Sequence, residues 1–273
     1  MSAENAGSPG ALENPLKKML AAGNYVIGTT VSSASVETAA QQASLGFDFL
    51  WIEMEHSPIT LETLRNIILA TRGLKAVPIT RVPVNELWTA KRVLDMGSLG
   101  VIFPFCSTPE LAAQAAAACK YPPHGRRGFG ASLASFRWPA PEGYANFADS
   151  NIIVTVIIEE ERALNQVEAI ASTPGVDVLF VGTSDLSFSM GLRGQSGHPR
   201  VQEGLKRVEA ACKANGKYCG LPVKESEQIK KYADWGFQWF QTTTELGLMA
   251  RGANQLLEPL GRAAESLSKG MLY

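Results

Sequence analysis

The sequence lacks the features of membrane, secreted and nucleic-acid-binding proteins. It has no apolar run of the roughly 18 residues that a membrane-spanning helix needs. Its 25 basic residues are balanced by 26 acidic ones, which argues against nucleic acid or an anionic membrane as a partner. The first 14 residues are small and polar, without the basic start and apolar core of a signal peptide. We therefore expect a cytoplasmic protein whose residues 1–14 form a loose tail.

Residues that bind soft metals are also scarce. The four cysteines lack the paired spacing of a zinc site, and we interpret them as reduced thiols. There are only three histidines, His56, His124 and His198, and the last two lie in loop-like segments. A structural zinc site is therefore disfavoured, and any metal would depend mainly on carboxylate oxygens.

What the sequence does have is a regular alternation of strand and helix patterns from residue 15 onward. Eight short apolar runs, rich in β-branched residues, alternate with amphipathic stretches. This pattern predicts a single α/β domain, a (β/α)8 TIM barrel, over residues 15–273. An open doubly wound sheet is the alternative, but residues 29–33 are not a glycine-rich phosphate turn. The predicted strands are 24–31, 47–54, 76–82, 100–105, 152–159, 176–181, 218–223 and 239–244.

One long segment interrupts the alternation. Residues 121–150 are rich in glycine and proline, and we interpret them as a functional loop that carries substrate selectivity. A final helical segment spans about 246–268. Asn85 and Thr108 are predicted to be the N-caps of the helices that follow them.

Acidic residues end several of the predicted strands, where catalytic groups lie in such barrels. Glu159 ends the fifth run, Asp185 follows the sixth through a short turn, and the eighth runs into residues 243–245, the last of which is Glu. An unpaired buried carboxylate is costly, so Glu159 and Asp185 suggest a shared divalent cation with oxygen ligands. Salt bridges to nearby Arg or Lys are the structural alternative.

Further polar residues end the second and third runs. His56 follows Glu53 by three residues, and an acid that holds a histidine in one tautomer gives a general base. Arg81 could stabilise a developing oxyanion. The structural alternatives are a surface-loop histidine and an arginine paired with a buried acid. The turn at 182–185 could bind a substrate carboxylate, and Trp51 could line the pocket.

These residues occur in motifs that resemble the HpcH/HpaI family of class II, metal-dependent pyruvate aldolases. The resemblance covers about residues 15–260. It implies a barrel of the phosphoenolpyruvate/pyruvate type that assembles as a homo-oligomer, usually a hexamer built as a trimer of dimers, with C-terminal helices exchanged between subunits. The motifs are Phe-Asp-Phe-Leu-Trp-Ile-Glu-Met-Glu-His at 47–56, Arg-Val-Pro at 81–83, Tyr-Pro-Pro-His-Gly-Arg-Arg-Gly at 121–128 and Val-Gly-Thr-Ser-Asp-Leu-Ser at 181–187.

The same resemblance implies a lyase that reversibly cleaves a 4-hydroxy-2-oxo acid to pyruvate and an aldehyde through a pyruvate enolate. Mg²⁺ or Mn²⁺ would be held by Glu159 and Asp185, and pyruvate would chelate the ion through its keto and carboxylate oxygens. His56, paired with Glu53, would move protons, and Arg81 would stabilise the enolate. Substrate binding is implied for Gly182, Ser184, Asp185, Arg81 and Trp51.

Two positions depart from the family's usual pattern. Glu53 stands where the family usually has Asp, and Ile157 stands where it usually has Gln. Ile157 removes a hydrogen-bond partner two residues before Glu159, so the reaction preference could differ. Oxaloacetate decarboxylation, or enolate chemistry like that of macrophomate synthase, is the main alternative. A CoA-ester lyase and a non-catalytic barrel that only binds ligands are weaker alternatives.

Overall fold

A computed structural model of the protein describes residues 13–140 and 143–262. In it, eight parallel strands form a closed barrel in chain order, and β8 pairs with β1. The (β/α)8 prediction is confirmed, and the open doubly wound sheet is excluded. The strands are β1 Val26–Val31, β2 Phe49–Glu53, β3 Val77–Arg81, β4 Gly100–Phe103, β5 Ile153–Ile158, β6 Val178–Val181, β7 Tyr218–Pro222 and β8 Trp239–Thr244.

Helices surround the barrel, and none of the described ones has the length and apolar character to cross a membrane. Thr108 caps α5 as predicted, since its side chain accepts a hydrogen bond from the Leu111 N–H at 3.3 Å. A 3-10 turn, Glu258–Leu260, follows the last described helix. The helices are α1 Pro15–Ala21, α2 Val36–Ser44, α3 Leu61–Ala70, α4 Leu87–Met96, α5 Pro109–Cys119, α6 Ser132–Arg137, α7 Tyr144–Asn151, α8 Glu161–Leu164, α9 Val167–Ala171, α10 Thr183–Ser189, α11 Pro199–Ala214, α12 Ser226–Asp234 and α13 Glu245–Leu257.

Two predictions about caps and boundaries differ from the structure. Asn85 does not cap α4, because its side-chain amide donates instead to the Leu111 carbonyl at 3.0 Å, and Glu86 is the cap residue. Asn14, assigned to the tail, is buried and caps α1 through the Leu16 N–H. Residues 1–12 and the end of the predicted last helix, from 263 onward, lie outside the described residues.

The segment 121–150 is not one long loop but contains the short helices α6 and α7. Arg127, from the predicted motif, is 1 % exposed and forms an ion pair with Asp95 of α4 at 2.8 Å. Its guanidinium also lies 4.7 Å from the ring centre of Tyr121 and 5.6 Å from that of Tyr144. The motif therefore anchors this segment to the barrel wall, which is a structural role.

Side chains fill the barrel interior in layers that end at the mouth. At the base, the rings of Phe49 and Trp239 lie 4.3 Å apart, and Gly28 leaves room for them, because a Cβ there would lie 2.2 Å from Phe49. Above them, Trp51 packs against Phe180 with ring centres 4.8 Å apart and the rings tilted by 55°. Since alternate strand residues face the same side, the next inward positions belong to the charged residues of the mouth.

Candidate active site

Glu159 lies at the mouth directly after β5 and is 3 % exposed. Its Oε1 accepts a hydrogen bond of 2.6 Å from the backbone N–H of Phe105, a residue in the left-handed region with φ of +52°. Burial raises the pKa of Glu159 to about 7; the Phe105 hydrogen bond opposes this rise, and the negative charges of Glu55 and Asp185 add to it. The carboxylate is therefore desolvated and faces other acids.

Asp185 lies in the first turn of α10, is exposed, and comes near enough to Glu159 to raise its pKa. Gly182 makes room for this approach. A Cβ at Gly182 would lie 2.9 Å from the Cβ of Glu159 and 3.2 Å from its Oε2. None of the ion pairs among the described residues involves Glu159 or Asp185. The salt-bridge alternative thus finds no support there.

Glu53 and Arg81 are direct register partners at the ends of β2 and β3. Glu53 Oε2 accepts hydrogen bonds from Arg81 Nε at 2.6 Å and from Trp51 Nε1 at 3.1 Å. Glu53 Oε1 accepts from the backbone N–H groups of Glu55 at 2.7 Å and His56 at 3.0 Å. Both oxygens of Glu53 are therefore occupied, and this acid fixes the arginine, the indole and the turn after β2.

The His56 side chain meets a different acid from the one expected. Its Nε2 lies 3.5 Å from Glu55 Oε2, whereas the hydrogen bond to Glu53 comes from the His56 backbone. Glu55 also lies 3.1 Å from Arg81 Nη1. Burial raises the pKa of Glu55, and the positive charge of Arg81 opposes that rise. Glu55 directly precedes His56 in the sequence and was expected at the mouth, whereas the family resemblance implies Glu53 as the partner of the imidazole.

The strand-end residues of β8 do not join this group. Glu245 is 5 % exposed and accepts hydrogen bonds from Ser32 N–H at 3.0 Å and from Ser33 N–H. Thr244 caps α13 by accepting from Gly247 N–H at 3.1 Å. These groups join the β1 end to α13. They therefore have a structural explanation.

A divalent cation at this mouth would have few protein ligands. Among the described residues, no three His, Cys, Asp or Glu side chains are arranged to hold a metal. Glu159 and Asp185 would contribute oxygen ligands only, which Mg²⁺ and Mn²⁺ prefer, and such ions retain several waters or substrate oxygens. The Gly182 backbone packs closely against Glu159, and a side chain at position 182 would crowd Glu159 Oε2 at 3.2 Å.

Parallel barrels carry their chemistry at the carboxyl ends of their strands, and the acids of this barrel are gathered there. The chain belongs to the HpcH/HpaI aldolase/citrate lyase family, whose sequence profile matches residues 27–251. This confirms the family predicted from the motifs, and, as a member with close aldolase relatives, the chain is a carbon–carbon lyase.

Three similar proteins illustrate this relationship. A 5-keto-4-deoxy-D-glucarate aldolase of Salmonella arizonae is 36 % identical over 245 residues, which are 90 % of this chain and 96 % of that protein. The crystal structure of a HpcH/HpaI aldolase/citrate lyase family protein from Burkholderia cenocepacia has 32 % identity and a TM-score of 0.84, covering 91 % of this chain and 99 % of its own. Macrophomate synthase, at 22 % identity and a TM-score of 0.79 over 93 % of this chain and 90 % of its own, shares the fold.

Proposed function

We propose that this lyase reversibly cleaves a 4-hydroxy-2-oxo acid to pyruvate and an aldehyde, with Mg²⁺ or Mn²⁺ held by Glu159 and Asp185. The observation that carries the proposal is the environment of Glu159. It is a buried carboxylate with a raised pKa, a single backbone donor and two further acids nearby. Such a group is costly unless a cation balances it. The Salmonella arizonae relative, an aldolase, belongs to the same reaction class.

A divalent cation would act as a Lewis acid that withdraws electrons from the keto group of the substrate. A Schiff-base lysine is then unnecessary, in keeping with the absence of lysine at the ends of β1 to β6 in the sequence. The donor set, two carboxylates without cysteine, favours Mg²⁺ or Mn²⁺ over softer metals.

The protein's own side chains have separate tasks in this proposal. Arg81 has five N–H donors in a planar fork, and those not used by Glu53 and Glu55 can stabilise negative charge on a substrate oxygen. His56, which is 55 % exposed, is available to hold or transfer a proton. Trp51 forms the floor beneath Glu53 and Arg81 and excludes water there. Gly182 and Ser184 at the start of α10 would bind the substrate carboxylate next to Asp185.

The proposal is tested by assaying pyruvate with simple aldehydes after chelation and after addition of single divalent metals. We expect Mg²⁺ or Mn²⁺ to restore turnover, and no product with any metal would overturn the proposal. Asp185→Ala should lose metal affinity and activity together, because the cation loses one of two protein ligands. Asp234→Ala, an exposed aspartate at the end of α12, is the matched control. Normal metal titration of Asp185→Ala would contradict the ligand assignment.

Ile157 motivates a second candidate, oxaloacetate decarboxylation. This residue is 1 % exposed, lies beneath Glu159, and approaches within 3.2 Å of where a Gly182 Cβ would be. An apolar side chain there offers no hydrogen bond to a polar aldehyde fragment, but it tolerates departure of carbon dioxide. Both reactions pass through a pyruvate enolate. Comparing kcat/KM for oxaloacetate with that for a 4-hydroxy-2-oxo acid decides between them.

We also propose that the chain forms a homo-oligomer, as a hexamer, in the cytoplasm. Large aromatic side chains are exposed on the described surface, including Trp88 at 53 %, Phe129 at 76 % and Phe136 at 56 %. Aromatic side chains are enriched at protein–protein interfaces. The four cysteines are unpaired and buried, as expected in a reducing compartment. Light scattering after size exclusion would test the assembly, and a monomer would refute it.

A further inference from the structure

Glu55 lies at the mouth, and its side chain is largely removed from solvent although one carboxylate oxygen lacks a well-formed hydrogen bond. Its side chain is only 9 % exposed, although the neighbouring His56 side chain is 55 % exposed. Its Oε2 has no hydrogen-bond partner of good geometry in the described structure. A buried carboxylate oxygen without such a partner is costly to keep. Its place among charged residues of the site therefore calls for a functional explanation.

The contacts of Glu55 differ in kind from those of Glu53. Glu53 is held by two backbone N–H groups, an indole and the Nε of Arg81. Glu55 instead reaches two side chains that can move, Arg81 through Nη1 at 3.1 Å and His56 through Nε2 at 3.5 Å. One oxygen, Oε2, makes both contacts. It therefore links the proposed proton-transfer residue to the proposed oxyanion-stabilising residue.

Glu55 also faces the candidate cation site. Its negative charge acts on Glu159, and the charge of Asp185 acts on Glu55 in turn. Glu55 contacts Arg81 and His56, and it interacts through charge with Glu159 and Asp185; the four groups come from four different strand ends or turns. Glu55 is thus the acid common to both halves of the site.

We propose that Glu55 is a positioning residue that holds the His56 imidazole and the Arg81 guanidinium in their working orientation. The inference rests on the proposed function. Glu53 fixes one edge of the guanidinium, and Glu55 fixes the Nη1 side, so that the remaining N–H groups keep one direction. Without Glu55, the guanidinium can rotate about its tether to Glu53, and the imidazole loses its acidic neighbour.

The kinetic test compares Glu55→Gln and Glu55→Ala with wild type under saturating Mn²⁺. We expect kcat for a 4-hydroxy-2-oxo acid to fall about 30-fold or more in both variants, whereas KM and the Mn²⁺ dissociation constant change less than about threefold, because positioning matters most in the transition state. Added formate should restore Glu55→Ala at least about tenfold, and chloride at equal ionic strength should not. A merely structural acid would not respond to formate.

Glu160→Gln is the matched control, because Glu160 also follows β5 and binds an arginine, Arg162, at 2.7 Å, and the other partner of its side chain is Ser107. It should retain kcat within about twofold. Wild-type kcat in Glu55→Gln, or absence of formate rescue in a folded Glu55→Ala, would overturn the proposal.

A second measurement separates this inference from the proposed function. If wild type turned over no 4-hydroxy-2-oxo acid, the proposed function would fail, and crystal structures of wild type and Glu55→Ala would still decide the positioning role. We expect Arg81 and His56 to occupy one conformation each in wild type and to shift or split in the variant. Unchanged positions of both side chains would overturn the inference.

Discussion

Two buried glutamates on different sides of the barrel mouth show how one residue type serves two purposes. Glu245, after β8, is 5 % exposed, and Glu159, after β5, is 3 % exposed. Glu245 accepts from two backbone N–H groups and one hydroxyl, those of Ser32 and Ser33. Glu159, within the described residues, accepts from the Phe105 N–H. The two glutamates are therefore buried to nearly the same extent, but Glu245 has three hydrogen-bond donors and Glu159 has one among the described residues.

The number of hydrogen-bond donors, rather than the degree of burial, therefore distinguishes the structural carboxylate from the candidate site carboxylate. At the β8–β1 seam, Glu245 replaces water with protein donors and so joins the first strand's loop to α13. At the β5–β6 side, Glu159 faces Asp185 and Glu55, which add negative charge. A buried carboxylate with so few donors destabilises the folded protein, and a bound cation would offset that destabilisation.

The largest expected effect comes from Glu159→Gln, which keeps the shape and removes the charge. We expect kcat/KM to fall at least about 10³-fold. The cation, which would stabilise the developing negative charge by several kcal/mol, loses one of its ligands. The metal-free variant should unfold at the same or a higher temperature than metal-free wild type. If the variant kept a tenth of wild-type activity, Glu159 would have to be reassigned as structural.

The second prediction concerns the pH dependence of metal-free stability. Glu159 has its pKa raised from 4.5 to about 7 in the folded protein, so its contribution to stability is present below pH 4.5 and is lost as the pH rises to about 7. Relative to Glu159→Gln, wild type should therefore lose stability between pH 5 and 7.5, by on the order of 3 kcal/mol at most. Urea unfolding of both proteins in chelator measures this. Parallel pH profiles would contradict the raised pKa.

The smallest effect on catalysis is expected for Glu245→Gln. In contrast to Glu159→Gln, this variant should lose stability and keep its activity. The side-chain amide would face Ser32 and Ser33 donors with an N–H₂ group, so the free energy of unfolding should fall by about 1–3 kcal/mol. Below the unfolding transition, kcat should remain within about threefold of wild type. Loss of activity in a fully folded Glu245→Gln would remove the contrast between the two glutamates.

The fold and much of the site follow from sequence patterns because strands impose a strict alternation. Parity along β2 and β3 places Glu53 opposite Arg81, and the end of β5 brings Glu159 to the same mouth. The eight apolar runs agree with the eight strands for the same reason.

What sequence reasoning missed lies beyond the strand ends or depends on distant contacts. The alternation of strand residues ends at Glu53, so the sequence does not tell which acid lies next to the His56 side chain. In the structure Glu55 lies next to the imidazole. The anchoring of Arg127 by Asp95 joins residues 32 positions apart. Asn85 has the chemistry of a helix cap, but the Leu111 carbonyl takes its amide instead.

The central claim is that Glu159 and Asp185 share one divalent cation that binds a 2-oxo acid. A crystal structure of the protein with Mn²⁺ and pyruvate, recorded at a wavelength that reveals manganese, tests it most directly. We expect one anomalous peak between the two carboxylates, with oxygen distances of about 2.1 Å and with pyruvate completing the coordination. A manganese ion bound elsewhere, with Glu159 and Asp185 left uncoordinated at saturating metal, would contradict it.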